Sequence, residues 1–311
     1  MIKLIEEKDI QNVINILTNY DELYIKSLVG NLSEYMYVSY KEGILNGLMI
    51  CFNDGENIYV KEIYGDNTEV LKSLLKHLEF NANKDTIITT TETNLIYLLE
   101  QFNYKIVTDN TYKKEFMKYT PTNIEIYEYY EQDEEFKRLL LDQINEPLWP
   151  GAKHLYERII NNTQGGRVFI MYDIDKEHII TFGTLHDFDE IESETLKPWI
   201  GSIYTFRPYR GNRFSEQLIK HIIGIVKEEG LEFVYLSSDN LGMYEKFGFE
   251  LYGMMKTVRG NETQVFVYDT KKIENSNVKN IWQSSKEIWL NVKDWFSYNK
   301  TRKKTKVIIW N

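Results

Sequence analysis

The stretch that decides the fold reads Trp199-Ile-Gly-Ser-Ile-Tyr-Thr-Phe206 and continues, after Arg-Pro-Tyr, with Arg210-Gly-Asn-Arg-Phe-Ser215. Its first part is an apolar run of strand length. Directly after the second part, apolar residues recur at helical spacing, at Phe214, Leu218, Ile222, Ile225 and Val226. The sequence therefore predicts a strand, a loop and a helix in immediate succession.

The predicted loop is suited to an anion. The first amides of a helix have no internal partner and lie at the positive end of its dipole, so a loop that leads into them can hold a phosphate. Gly211 leaves the backbone bare at this point, and Arg210 and Arg213 bring positive charge. A glycine at such a turn is by itself more often ordinary α/β architecture than a ligand site.

A second motif follows the helix. A short strand is predicted at 233–237, and it leads into Ser238-Asp-Asn-Leu241 and a brief helix that carries Tyr244. Lys246-Phe-Gly-Phe249 then enters another strand. The order strand, loop, helix, strand, turn, strand predicts an α/β domain.

The two motifs together resemble the GNAT superfamily of acyl-CoA N-acyltransferases. Residues 210–215 are similar to its Arg-Gly-x-Gly-x-Gly/Ala pyrophosphate loop, and Asn240 with 244–249 resembles its second signature. Arg213 and Ser215 depart from the motif, and Pro208 sits one place later than usual. A side chain at 213 either crowds the pyrophosphate or, being cationic, binds it, and we favour binding.

The resemblance implies an acyl-CoA-dependent enzyme that moves an acetyl group from acetyl-CoA directly to a primary amine. It assigns Tyr244 as the general acid for the leaving thiolate, and it implies no metal. The central strand of the family pairs with the pantetheine arm, and Asn240 contacts that arm or a water. The implied cofactor-binding residues are Ile203, Tyr204, Thr205, Arg210, Gly211, Asn212, Arg213, Phe214, Ser215, Asn240 and Tyr244.

The composition indicates which classes of binding partner and which cellular location to expect. The net charge of −10 over 311 residues argues against nucleic acid and suits a cationic substrate. The single cysteine, Cys51, lies in an apolar run and is predicted to be buried. Charges at the N-terminus argue against a signal peptide, and no run reaches the length of a membrane span, so we expect a cytoplasmic protein.

The chain upstream repeats the same order of elements, which predicts two tandem GNAT-like domains with helices on both faces of mixed sheets. The predicted boundaries are 1–120 for a degenerate copy, 121–270 for the catalytic domain and 271–311 for a tail. In the first copy Leu99 falls where Tyr244 lies, and Ile63-Tyr-Gly-Asp-Asn67 replaces the arginine-bearing loop with a shorter acidic one. Two unrelated α/β units of similar length are the alternative.

The acceptor side is less defined. Trp149 lies among helix breakers in a region that covers the acceptor pocket in the family, and it is either a substrate contact or a packing residue. The acidic run 187–194 either attracts an amine or is simply solvated. Asp187, also a candidate substrate contact, and Glu194 are candidate general bases, and His186 is an alternative base.

The tail predicts an amphipathic helix, with apolar residues at Val278, Ile281, Trp282, Ile288, Trp289, Val292, Trp295 and Phe296. Such a helix docks on its own domain, on a second subunit as a homodimer, or on a membrane surface. Its polar face mixes charges of both signs, which favours docking on protein.

Two other functions compete with the enzyme. One is a non-catalytic acyl-CoA-binding sensor or scaffold, which the replacement of a loop glycine by Arg213 keeps open. The other is an interaction protein that works through the tryptophan-rich tail. The acceptor itself, whether a small molecule or a peptide amine, does not follow from the fold.

Overall fold

The computed structural model describes residues 1–162, 166–191, 193, 195–240 and 242–271, and the backbone of Thr305–Lys306. The chain forms two compact units. Unit 1 comprises Met1–Thr120, Arg138–Asn161 and Thr205–Asn212, and unit 2 comprises the rest. The domain boundaries inferred from the sequence, 1–120, 121–270 and 271–311, stay a prediction.

Unit 1 contains a sheet of seven strands in the order β1-β2-β3-β4-β5-β7-β6. All adjacent strands are antiparallel except β4 and β5, which are parallel. In chain order its elements are β1 (Ile2–Leu4), α1 (Ile10–Ile16), α2 (Glu22–Ser27), β2 (Glu34–Lys41), β3 (Ile44–Asn53), β4 (Asn57–Gly65), α3 (Thr68–Asn81), β5 (Asp85–Thr89), α4 (Thr93–Gln101), β6 (Lys105–Thr108) and β7 (Thr111–Lys114).

Both faces of this sheet are buried, because alternate residues of a strand point to opposite sides. On one side Met36 and Val38 of β2 pack with Val13 and Ile25 of the two N-terminal helices. On the other side Tyr35, Tyr37 and Cys51 pack with the apolar faces of α3 and α4. The buried position of Cys51, whose thiol pKa is raised by burial, confirms its prediction as a packing residue.

The remaining elements, in chain order, are β8 (Ile124–Glu128), α5 (Glu134–Ile144), α6 (Pro150–Ile160), β9 (Arg167–Asp173), β10 (His178–His186), β11 (Trp199–Thr205), α7 (Phe214–Glu228), β12 (Phe233–Ser238), β13 (Glu250–Lys256), β14 (Glu262–Asp269) and β15 (Thr305–Lys306). Unit 2 contains the sheet β13-β14-β12-β11-β10-β9-β8-β15. Helix α6 and most of α5 group with unit 1.

The second sheet repeats the first. Read from β8, its order is β8-β9-β10-β11-β12-β14-β13, which matches β1-β2-β3-β4-β5-β7-β6 strand for strand. The one parallel pair of unit 1, β4 with β5, corresponds to the parallel pair β11 with β12. In both copies the last strand inserts beside the fifth, which is an uncommon order for unrelated units to share. This identity of topology supports the predicted tandem of mixed-sheet domains with helices.

Helix α6 begins at Pro150, directly after Trp149. Proline fits the first turn of a helix because the amide it lacks has no partner there. The predicted tail helix lies outside the described residues. Beyond residue 271 the structure describes Thr305–Lys306, a short strand that pairs with β8. No helix in the described ranges is long and apolar enough to cross a membrane.

Replacement of a core leucine tests the packing of α3. Leu74 is fully buried between α3 and the sheet, so Leu74→Ala should lower the free energy of unfolding by about 2–5 kcal/mol. Leu23→Ala is the matched control, because Leu23 is 78% exposed on α2 and should change stability by less than about 0.5 kcal/mol. Urea unfolding followed by circular dichroism measures both, and equal losses would contradict this packing.

Candidate active site

The site is built where β11 and β12 separate. These parallel strands pair at Trp199 and Tyr235, where Tyr235 N–H also donates to Pro198 O at 2.9 Å. In the described part of the chain no further pair joins the two strands towards their carboxyl ends. Strands that pair at one end alone leave a gap between them at the other end. In α/β sheets, ligands bind at the carboxyl ends of parallel strands.

A local irregularity in β11 precedes the predicted pantetheine residues. Ser202 has a φ of 50°, a left-handed conformation that interrupts the regular strand. Ile203 and Tyr204 beyond it are half-buried. The Ile203 side chain lies over Gly183 of β10, where an added Cβ would come within 2.3 Å of its Cδ1, and the Thr181 hydroxyl donates to Tyr204 O at 2.8 Å.

The loop 206–213 joins β11 to α7. It contains a short 3-10 turn, Arg207–Tyr209, after which Arg210 is exposed and its Nε donates to Thr205 O at 2.8 Å. Gly211 has a φ of 93° and Arg213 a φ of 60°, so two left-handed residues turn the chain into the helix. Arg213 is the N-cap residue of α7 and its side chain does not cap the helix.

The side chains of the loop have different surroundings. Arg213 Nε donates to the buried carboxylate of Glu216, which also pairs with Lys220 at 3.0 Å. Asn212 Nδ2 donates to the carbonyls of Tyr119 and Tyr209, at 2.9 and 3.4 Å, so this side chain holds the loop backbone. Phe214 is buried and anchors α7 in the core, which leaves its backbone amide as the group that a ligand can meet.

The second motif brings Tyr244, Asn240 and Ser238 together. Tyr244 is 7% exposed and its ring packs against Phe247, Phe249 and Phe266. Burial raises the pKa of the Tyr244 phenol above its ordinary value of 10.0, and hydrogen bonds with Ser238 and Asn240 offset part of that shift. Ser238 was not predicted; it is the last residue of β12, and only the fold shows that it faces this phenol.

A sequence model of the acetyltransferase (GNAT) family matches residues 124–249. Residues 124–249 belong to the GNAT family. The match runs from the start of β8 through Tyr244 and ends at Phe249, and so covers both motifs. No curated protein sequence matches the chain significantly.

Acetyltransferases are among the solved structures that resemble part of this chain. An aminoglycoside 6'-acetyltransferase type Ii is 17% identical, with 48% of this chain and 98% of that chain covered and a TM-score of 0.37. A GNAT N-acetyltransferase from Escherichia coli in complex with CoA is 16% identical, with 49% and 84% covered and a TM-score of 0.39. One from Elizabethkingia anophelis with acetyl-CoA bound is 16% identical, with 47% and 98% covered and a TM-score of 0.35. No acceptor is inferred from these similarities.

The acidic run beside the GNAT motifs is partly described. Asp187 is exposed just beyond the end of β10, whereas Glu194 lies outside the described residues. Sequence reasoning missed Asp189, whose Oδ2 accepts a hydrogen bond from Ser237 of β12 at 2.7 Å. Spacing gave no signal for Asp189, because only the fold brings this loop to β12.

The other two predicted acceptor-side residues are His186 and Trp149. His186 is buried against Gly166, where an added Cβ would lie 1.7 Å from its Nδ1, and its ring packs 5.5 Å from that of Phe188. Trp149 is the half-buried N-cap residue of α6, it folds over Gly151, and it groups with unit 1. Across the described residues no group of three metal-ligating side chains is present.

The first copy does not have the elements of this site. Only residues 66–67 connect β4 to α3, and the Asn67 side chain accepts a hydrogen bond from Val70 N at 3.1 Å, which caps the helix from within. Leu99, at the position of Tyr244, is fully buried. The start of α3 is therefore closed by its own side chain, whereas the start of α7 is not.

Two substitutions of Arg213 test the backbone of the loop. Arg213→Gly and Arg213→Ala both remove the contact with Glu216, but only glycine adopts a φ of 60° without steric cost. The glycine variant should therefore be more stable than the alanine variant by about 1 kcal/mol, measured as a difference in thermal midpoint. An alanine variant as stable as the glycine variant would contradict the left-handed conformation.

Proposed function

We propose that the protein is an acyl-CoA-dependent N-acetyltransferase that moves the acetyl group of acetyl-CoA directly to a primary amine. One observation carries the proposal. In the GNAT domain, a loop with two left-handed residues leads into a helix whose N-cap residue supplies no side-chain cap, so amides at the positive end of the helix dipole can meet a diphosphate. Acetyl-CoA acts as co-substrate, and no metal is assigned.

The loop and the central strand bind the cofactor in this proposal. Arg210 and Arg213 contribute charge, and the amides of Gly211, Phe214 and Ser215 contact the diphosphate. Asn212 acts through the loop backbone, since its side-chain amide is engaged with two carbonyls. The backbone of Ile203, Tyr204 and Thr205 follows the pantetheine arm, and Asn240 contacts its end.

Tyr244 assists departure of the thiol. The amine nitrogen attacks the thioester carbonyl, the C–S bond of the resulting tetrahedral intermediate breaks, and the sulfur leaves as a thiolate that must gain a proton. Transfer from a phenol of pKa about 10 to a thiolate whose conjugate acid has a pKa of about 8.5 is uphill by about 2 kcal/mol. The raised pKa of Tyr244 adds to that cost, so it favours a hydrogen bond to the sulfur while the bond breaks.

The acceptor is proposed to be a cationic small-molecule or peptide amine. Asp187 and Asp189 lie in the acidic run between β10 and β11, and the whole chain carries a net charge of −10. An alkyl amine has a pKa of about 10.4, so it must lose a proton before attack. Asp187, Glu194 or a water chain takes that proton, His186 is the alternative base, and Trp149 is a proposed contact of the acceptor.

The first test is binding and turnover by the full chain. We expect acetyl-CoA to bind in calorimetry and thiol to be released when acetyl-CoA is mixed with one member of an amine panel. Arg210→Ala should weaken acetyl-CoA binding about 10-fold, because a charge-assisted contact is lost. Arg259→Ala is the control, since that exposed arginine lies beyond β13 and pairs with Glu190. No binding by the wild type would overturn the proposal.

Tyr244→Phe separates an enzyme from a non-catalytic acyl-CoA-binding module. We expect kcat to fall about 100-fold while the Kd for acetyl-CoA stays within about twofold, because the phenol acts only as the sulfur leaves. Tyr252→Phe is the matched control, as Tyr252 is exposed on β13. Binding without thiol release by the wild type, over the whole amine panel, would favour the binding module.

The pH dependence follows from the same phenol. Burial raises the Tyr244 pKa, so the phenol keeps its proton at neutral pH and loses it only above about pH 10. The rate should therefore rise with pH as the amine deprotonates, without a fall from loss of the acid below that range. The cytoplasmic location and a homodimer through the tail stay predictions.

A further inference from the structure

The backbone of the segment 117–120, which follows β7, is hydrogen-bonded to the loop 206–213. Tyr119 N–H donates to Pro208 O at 2.8 Å, and Asn212 Nδ2 donates to Tyr119 O at 2.9 Å. Tyr119, Pro208 and Asn212 all belong to unit 1. Because one bond runs in each direction, residue 119 is held against the loop at two points.

An aromatic cluster of Phe80, Tyr119 and Tyr209 strengthens this attachment. Tyr209 of the loop is fully buried, stacks on Phe80 of α3 with 6.1 Å between ring centroids, and meets Tyr119 edge-on at 5.7 Å. The Tyr119 hydroxyl donates to Glu79, which also pairs with Lys114 at 3.2 Å. Aromatic contacts of this kind add about 0.5–1.5 kcal/mol each beyond burial, so the loop is held rigidly.

Lys118 extends from this anchored segment over the loop glycine. Its Nζ lies 3.3 Å from the place that a Cβ on Gly211 would take. Lys118 is exposed, and none of the ion pairs found among the described residues involves it. Gly211 is favoured by its φ of 93°, and the Lys118 ammonium group lies close to its bare backbone.

We propose that Lys118 binds the diphosphate of the acyl-CoA together with Arg210, an inference that rests on the proposed function. The ammonium group lies beside the backbone that meets the diphosphate, and Tyr119 positions it by fixing the adjacent residue. A lysine is suited to this task because it binds phosphate as a point charge and needs no planar geometry.

The charges around the loop explain why a further cation is useful. The Arg213 guanidinium, at the position where the family motif has glycine, is drawn back to the Glu216 carboxylate, which neutralises part of its charge. A chain of net charge −10 repels a diphosphate over most of its surface. Lys118 adds a positive charge beside the loop, and this charge offsets the repulsion of the diphosphate.

Binding of two ligands by lysine variants tests the assignment. Calorimetry on the full chain compares Lys118→Ala, Lys118→Glu and Lys118→Arg with the wild type, using coenzyme A and 3′-dephospho-coenzyme A as probes. We expect Lys118→Ala to raise the Kd of both ligands about 3- to 30-fold, Lys118→Glu to raise it further, and Lys118→Arg to preserve binding. Lys105→Ala, an exposed lysine of β6, is the matched control and should change neither Kd.

Each result has a defined meaning. If Lys118→Ala and Lys118→Glu bind both ligands like the wild type, the assignment of Lys118 is wrong and the proposed function is unaffected. If the loss appears with coenzyme A and disappears with the 3′-dephospho form, the lysine binds the 3′-phosphate, and the diphosphate assignment is overturned. If the wild type binds neither ligand, the proposed function and this inference both fail. If the lysine variants have the same thermal midpoint as the wild type, a loss of ligand binding is not caused by a loss of folding.

Discussion

The structure of the GNAT domain depends on how far two parallel strands stay paired. β11 and β12 are joined at Trp199 and Tyr235, and the left-handed Ser202 then disturbs β11. If the two strands were paired along their whole length, their backbone N–H and C=O groups would bond to each other, and none would be left for a ligand. The proposed site for the pantetheine arm depends on this separation.

The two copies of the fold differ in the connection between the fourth strand and the helix that follows it. In the first copy residues 66–67 take the chain directly into α3, and Asn67 closes the helix start. In the second copy a longer loop passes through Gly211 and Arg213, and α7 begins without a side-chain cap. The helix start of the first copy is therefore capped by a side chain, whereas that of the second copy is not.

The local elements were predictable because each depends on neighbours in the sequence. The apolar spacing of Leu74, Leu75 and Leu78 predicts α3. The neighbours of a side chain were not predictable in this way. Arg213, which is predicted to bind the pyrophosphate, pairs with Glu216, and Asp189, which the sequence does not single out, accepts a hydrogen bond from Ser237 of β12. The first contact joins residues three positions apart at the start of α7, whereas the second joins residues 48 positions apart and depends on the packed fold.

The sequence by itself determined the family of residues 124–249 and the order of elements in both copies, since these rest on residue types at fixed local spacing. Tertiary structure decided how the loop is held and charged: Tyr119 is far from Pro208 and Asn212 in sequence, yet it is bonded to both, and Lys118 lies over Gly211. The physical reason is that such contacts form only when burial of Phe80 and Tyr209 brings distant segments together.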